Sequence, residues 1–350
     1  MSPGVNRLSI ARIATETPMG AQAYEAQVIS RAAQAMGPAW EVRELVFRSM
    51  RSALPGNRRL PMGRVATASP ALRRQIGRML FAGDAVSHRT SLELPPAPGG
   101  DVITLHDVVA WRFDDESAPV PAAMEEARTA DAVICVSEFT AGEAVRFLGV
   151  RDPHVVPNGV DPRYFAAEPL DAGERAALGI PGPYVLHAGG AAERKNLAAL
   201  AEAWPAVHRE HPELTLALAG PPHPRRTELF DGMPGAVLLG RLPDAAMPGL
   251  VAAADAVVVP SLYEGFGLPA LEAMAAGTPV VAASTSSLPE VVGDAGVLVQ
   301  PTGAGVAAGL RDLLADSAAA TELIARGRER SAEYTWERSA AGHAAVWKSL

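Results

Sequence analysis

Apolar residues in this chain gather in short runs bounded by Gly, Pro or Asp. In the first half these are LSIARIA (8–14), EVRELVF (41–47), DVITLHD (101–107) and DAVICVS (131–137). In the second half they are YVLHAGG (184–190), LTLALAG (214–220), AVLLG (236–240), DAVVVPS (255–261), PVVAAS (279–284) and GVLVQ (296–300). Continuous β-branched and aliphatic runs of this length read as strands covered on both faces, the condition of a parallel sheet. Between them the pattern predicts helices over 21–35, 70–81, 138–149, 196–210, 244–253, 269–276, 303–315 and 336–350. The Arg-, Pro- and Gly-rich stretch 48–65 reads as a long loop, and 161–183 as a linker holding one short helix. Strand and helix alternate in two series, which predicts an α/β protein. The expected architecture is two doubly wound, Rossmann-like domains facing across a cleft, 1–165 and 166–335. Residues 336–350 are expected to form a terminal helix that packs back on the first domain.

Composition narrows this picture. At roughly 150 residues per domain, 350 residues favour two domains. With 48% hydrophobic and 20% charged residues the chain can bury full cores, and a net charge of −8 argues against bulk nucleic-acid binding. The single cysteine, Cys135, allows no disulfide within the chain and suits a reducing compartment, so a cytoplasmic location is expected. The N-terminal apolar stretch is interrupted by Arg12 and is too short for a signal or a span. No His or Cys spacing suggests a metal site. Only Lys195 and Lys348 are lysines, against 29 arginines, so a retained lysine invites a question about its role.

The segment DAVVVPSLYEGFGLPALEAMAAGTPVV (255–281) carries the most chemistry. Val257–Val259 form the strand and Pro260 ends it. Gly265 and Gly267 form a turn, Pro269 suits the first helical position, and Gly277 with Thr278-Pro279 suits the stop. A helix start presents unpaired N–H groups and positive partial charge. Around Gly265, Phe266, Gly267 and Leu268 the backbone is therefore expected to hold an anion, most plausibly phosphate. Glu264 before the turn could bind a sugar hydroxyl. Glu272 is expected in the first helical turn, where it could accept from a ribose diol or simply complement the helix dipole. GFGLPA also matches the dinucleotide fingerprint G-x-G-x-x-A, but the strand PVVAAS ends at Ser284 with no acid at its tip. A Rossmann dehydrogenase using a nicotinamide cofactor is thus one alternative. A non-catalytic nucleotide-sugar-binding protein is another.

YEGFGLPALEAMAAGTPVV (263–281) closely resembles the signature of the retaining glycosyltransferases of family 4, two glutamates separated by seven residues. HVVPNGVD (154–161), AGGAAERKN (188–196), LAGP (218–221), LLGRLP (238–243) and SSLPEVVGDAGVLVQP (286–301) resemble further segments of that family, in order. The resemblance implies the GT-B fold and a nucleoside-diphosphate sugar as co-substrate, with no other cofactor. It also implies a metal-independent transfer to an unknown acceptor, with retention of configuration, by front-face attack. By the same resemblance Arg194 and Lys195 hold the donor diphosphate, and His106 lies beside the donor sugar across the cleft from Glu264. Arg241, in LLGRLP, is placed near the nucleotide base, a surface-loop arginine being the alternative reading. Gly20, in an irregular Met19-Gly20-Ala21, stands where the family has a glycine loop. Asp107 reads equally as a turn residue and Ser137 as a helix cap. Nine arginines between 43 and 78, with one acid among them, suit a solvated face, an anionic acceptor or peripheral contact with an anionic membrane.

Overall fold

The computed structural model describes residues 6–16 and 20–350. The chain divides into two compact units, Met1–Gly159 with Trp336–Leu350, and Val160–Thr335. The division falls ahead of 165 because helix Pro162–Phe165 packs on helix Leu268–Ala276 of the second unit.

In the first unit seven strands form one sheet: β1 (Asn6–Ile13), β2 (Trp40–Ser49), β3 (Arg58–Leu60), β4 (Val86–Arg89), β5 (Asp101–Leu105), β6 (Ala132–Cys135) and β7 (His154–Val155). Their order is β3-β2-β1-β4-β5-β6-β7, and every pairing is parallel. The segment 48–65 is not one long loop. Arg58–Leu60 pairs with Phe47–Ser49 at the sheet edge, and a helix follows at Met62–Ala66 with Met62 and Val65 buried. Two buried apolar residues anchor a stretch whose composition is otherwise that of a loop. The terminal helix Trp336–Lys348 belongs to this unit, where Trp336 and Trp347 join a core with Leu8, Ile10, Tyr24 and Val28.

The arginine-rich region is partly interior. Arg73 is wholly buried and bidentate to Glu126, at 2.6 and 2.9 Å, and also donates to the carbonyls of Val65, Leu92 and Leu94. Arg43 is bidentate to Asp84 at 2.9 and 3.0 Å. Arg51, Arg58, Arg64 and Arg78 remain exposed.

The second unit carries β8 (Tyr184–Ala188), β9 (Thr215–Ala219), β10 (Ala236–Gly240), β11 (Ala256–Val259), β12 (Val280–Ala283) and β13 (Val297–Val299). Their order is β10-β9-β8-β11-β12-β13, again all parallel. The linker holds two short helices, Pro162–Phe165 and Ala172–Ala177, the second started by a capping box between Asp171 and Glu174. Helices Pro224–Phe230, Leu288–Val292 and Ser317–Ser331 add to those the pattern predicts. Among the described residues no helix is long and apolar enough to cross a membrane.

Candidate functional site

In the second sheet the strand order reverses between β8 and β11, and ligands of doubly wound folds bind beyond the carboxyl ends of such strands. The loops that leave these two strands are tied together. Leu262 N–H donates to the Arg194 carbonyl at 2.7 Å, and Asn196 Nδ2 donates to the carbonyls of Pro260 (2.9 Å) and Pro301 (3.0 Å). Asn196 adopts a left-handed φ of 53° to do so, a conformation Asn tolerates.

This tie brings three expected residues together. Lys195 Nζ lies 2.6 Å from Glu264 Oε1, and Arg194 Nη1 lies 3.6 Å from Glu264 Oε2. Ser261 Oγ donates to Glu264 Oε1 at 2.7 Å. The backbone is fixed as well, since Glu264 N–H donates to Ser286 Oγ (3.0 Å) and Ser287 Oγ donates to the Glu264 carbonyl (2.8 Å). Glu264 is 6% exposed. Burial by itself raises a carboxyl pKa, but the charges of Lys195 and Arg194, with the Lys195 and Ser261 hydrogen bonds, hold it below the ordinary value. Two cations meet at one carboxylate. A buried pair adds little net stability, so the arrangement is better explained by chemistry than by folding.

The turn beyond Glu264 has the expected form. Gly267 takes φ 102°, and a Cβ there would meet Leu288 Cδ2 at 2.8 Å, so glycine is required twice over. Helix Leu268–Ala276 then starts with Pro in its first turn, has no side-chain cap, and stops at Gly277 with φ 77°. The Phe266 side chain is buried and packs edge-on against Tyr334 at 5.8 Å, which leaves the expectation for its backbone untouched. One expectation changes here. Glu272 is the fifth helical residue, beyond the first turn, because the helix begins at Leu268. It is only partly exposed and lies against the Tyr164 hydroxyl. Burial raises its pKa to about 8, and the charges of Asp161 and Asp244 push the same way against the Tyr164 hydrogen bond and Arg163. Arg163 is itself paired to Asp161 (2.7 Å) and Asp244 (2.8 Å). Arg241, after β10, is exposed.

His106 follows β5 in the first unit, whereas Glu264, Arg194 and Lys195 belong to the second. Its ring meets Tyr24 edge-on at 4.6 Å, its Nε2 is buried without a partner, and burial and then His343 lower its pKa to about 4. Tyr24 is held by a hydrogen-bond chain whose direction the geometry assigns. His343 Nδ1 lies 2.7 Å from the Ser339 carbonyl, so Nδ1 carries the proton. His343 Nε2 therefore accepts from Tyr24 (2.7 Å), Tyr24 accepts from Thr104 (2.8 Å), and Thr104 accepts from His88 Nε2 (2.8 Å). Asp107 accepts from Val109 N–H at 3.2 Å, as a turn residue does, and Ser137 caps its helix by accepting from Thr140 N–H at 3.0 Å. Gly20 is the exposed first residue of helix Gly20–Met36, and Thr17–Met19 before it lie outside the described residues.

Sequence reasoning missed Tyr164, Ser261, Ser286 and Ser287. Tyr164 stands in NGVDPRYF, whose first half alone stood out, Ser261 follows the strand without a motif, and Ser286 and Ser287 open the segment SSLPEVV without a role of their own assigned there.

Residues 22–164 match the model of Glycosyltransferase Family 4, and residues 182–316 that of Glycosyl transferases group 1. The O-antigen chain mannosyltransferase B of Escherichia coli is 30% identical over 299 residues, 76% of this chain and 74% of that protein. The chain belongs to glycosyltransferase family 4. As a member it is a glycosyltransferase, and the nicotinamide alternative falls away. The GDP-mannose-dependent alpha-(1-6)-phosphatidylinositol dimannoside mannosyltransferase of Mycobacterium tuberculosis is 31% identical over 243 residues, 66% of this chain and 63% of that one. Among solved structures, Anabaena HepE in complex with UDP and glucose has a TM-score of 0.76 at 20% identity, covering 99% of this chain and 100% of that one. Sucrose-phosphate synthase from Thermosynechococcus elongatus has a TM-score of 0.73 at 22% identity and covers 99% of both chains. These likenesses establish the fold, two parallel-sheet α/β domains of the GT-B kind.

Proposed function

We propose that this glycosyltransferase moves a hexose from a uridine or guanosine diphosphate to an acceptor hydroxyl, with retention and without a metal ion. The observation that supports this is the meeting of Lys195 and Arg194 with Glu264 where the second sheet reverses. In the transfer, the bond between the anomeric carbon and the β-phosphate oxygen breaks. The acceptor oxygen bonds to the same face of that carbon, and its proton passes to the leaving phosphate. Negative charge grows on the leaving group, and fixed cations beside a helix start stabilise that growth. In this reading Arg194, Lys195 and the backbone of Gly265–Leu268 hold the diphosphate, and Glu264 meets the sugar. Glu272 takes the ribose diol, Arg241 the base, and His106 the sugar from the first unit. The GDP-mannose dependence of the mycobacterial relative and the UDP bound to HepE support such a donor.

A donor screen by mass spectrometry, with UDP-glucose, GDP-mannose and their congeners, tests this. Release of nucleoside diphosphate with one donor is expected. Binding of these donors with no hydrolysis or transfer under any acceptor mixture overturns the proposed donor and reaction.

For the acceptor side we propose peripheral contact with an anionic membrane. Helix Pro70–Leu80 exposes Leu72 (48%) and Met79 (69%) beside exposed Arg74 and Arg78. Sedimentation with anionic vesicles is expected to weaken as salt rises, and salt-insensitive or absent binding retires the idea.

A further inference from the structure

Among the described residues no carboxylate pairs with Arg226. It is the third residue of helix Pro224–Phe230 and is 3% exposed. Its Nη2 donates to the carbonyls of Gly189 (2.5 Å) and Gly190 (3.1 Å), and its Nη1 to that of Pro221 (2.7 Å). Its Nε is buried with no acceptor. Arg225 donates to the next carbonyl, Ala191, at 3.1 Å. Two consecutive arginines thus hold three consecutive carbonyls of the turn after β8, the turn that leads to Arg194 and Lys195.

Gly220 makes room for this. At φ 145° a Cβ there would stand 2.0 Å from the Gly189 carbonyl oxygen and 2.8 Å from Arg226 Nη2. The contrast with the first unit is direct, for buried Arg73 pairs with Glu126 and buried Arg89 with Asp101 and Glu126. A guanidinium does not give up its proton in a protein, and burial without a counter-charge opposes folding. The nearby ring does not help either. His187 donates from Nδ1 to the Val258 carbonyl at 3.2 Å, its Nε2 is buried without a partner, and burial holds it neutral with a pKa of about 4. What remains to balance Arg226 is an anion at the turn it holds.

We propose that Arg226 is a positioning residue for the donor-diphosphate turn, its fork fixing the Gly189 and Gly190 carbonyls while its unbalanced charge favours a diphosphate over a bare nucleoside. This rests on the reading of the site as a nucleoside-diphosphate sugar site.

Calorimetric titration of the full chain with UDP, GDP, uridine, guanosine and inorganic pyrophosphate tests it. Arg226→Gln is expected to weaken nucleoside-diphosphate binding by about tenfold or more, as loss of charge-assisted bonds does. Nucleoside affinity should stay within about twofold, and pyrophosphate binding should be lost. Arg226→Lys keeps the charge without the fork, so it should regain part of the pyrophosphate affinity while kcat falls more than the donor KM rises. A folded Arg226→Gln chain with unchanged diphosphate affinity overturns the inference. If that variant does not fold, Arg226→Lys with unchanged affinity and kcat overturns it equally. A wild-type chain that binds neither UDP nor GDP overturns the parent reading as well, whereas wild-type binding with an unaffected variant overturns this inference alone.

Discussion

Glu264 and Glu272 belong to one strand–turn–helix segment, yet their surroundings make them opposite acids. Glu264 faces Lys195 and Arg194, and these cations outweigh burial and hold it ionised. Glu272 faces a tyrosine hydroxyl with two further acids nearby, and burial prevails, raising its pKa to about 8. One carboxyl is held in its charged form, and the other is pushed towards its neutral form. The difference comes from residues far along the chain, and it separates two tasks, balancing cations and offering a neutral hydrogen-bonding group.

The strongest attempt to break this comparison removes a cation. Lys195→Ala should reduce kcat/KM for the donor by ~10²–10³, the usual effect of deleting one stabilising donor. It should also lower Tm, by less than the about 3–5 kcal/mol of a buried carboxylate left wholly unpaired, because Arg194 and Ser261 stay on Glu264. Combining it with Glu264→Gln should recover much of the Tm and none of the activity. Additive effects in that cycle, read by thermal melting and steady-state kinetics, would mean the two side chains are not one unit.

Next comes pH. The folded pKa of Glu272 lies above its unfolded value, so its protonated form favours the fold. That stability is full below about 4.5 and is lost as pH rises to about 8. Glu264 has a lowered folded pKa, so its contribution is present above 4.5 and is lost as pH falls through the folded value. Glu272→Gln should therefore match wild type near pH 5 and melt above it near pH 9. A constant Tm difference across that range would remove the assignment. The donor KM should follow the same course, with Glu272→Gln differing most from wild type above pH 8.

The smallest effect is expected from Tyr164→Phe. The Tyr164 hydrogen bond lowers the Glu272 pKa, so its loss should move the midpoint of the pH-dependent melting upward while kcat changes by less than about threefold. A midpoint that stays or falls would show that the hydroxyl does not touch the carboxyl.

Local signals explain why the strand–turn–helix was legible. Val257–Val259, Pro269 and Gly277 act through nearest neighbours, and the observed helix starts one residue before the expected 269. Elements defined by distant partners were not legible. Arg58–Leu60 is a strand because β2 lies beside it, and Arg73 is interior because Glu126 waits 53 positions away. Glu272 meets the Tyr164 hydroxyl from more than a hundred positions away, and Arg226 meets Gly189 across 37. Lys195 was legible through rarity, in a chain that uses arginine almost everywhere else.

The terminal helix has a consequence for how the molecule comes into being. Trp336, His343 and Trp347 complete the interior of the first unit, but 176 residues of the second unit are translated in between. The first unit, begun earlier, therefore stays unfinished until Trp336–Trp347 have followed the whole second unit out of the ribosome. In a nascent chain stalled before Trp336, Tyr24 of the first unit still lacks its histidine acceptor.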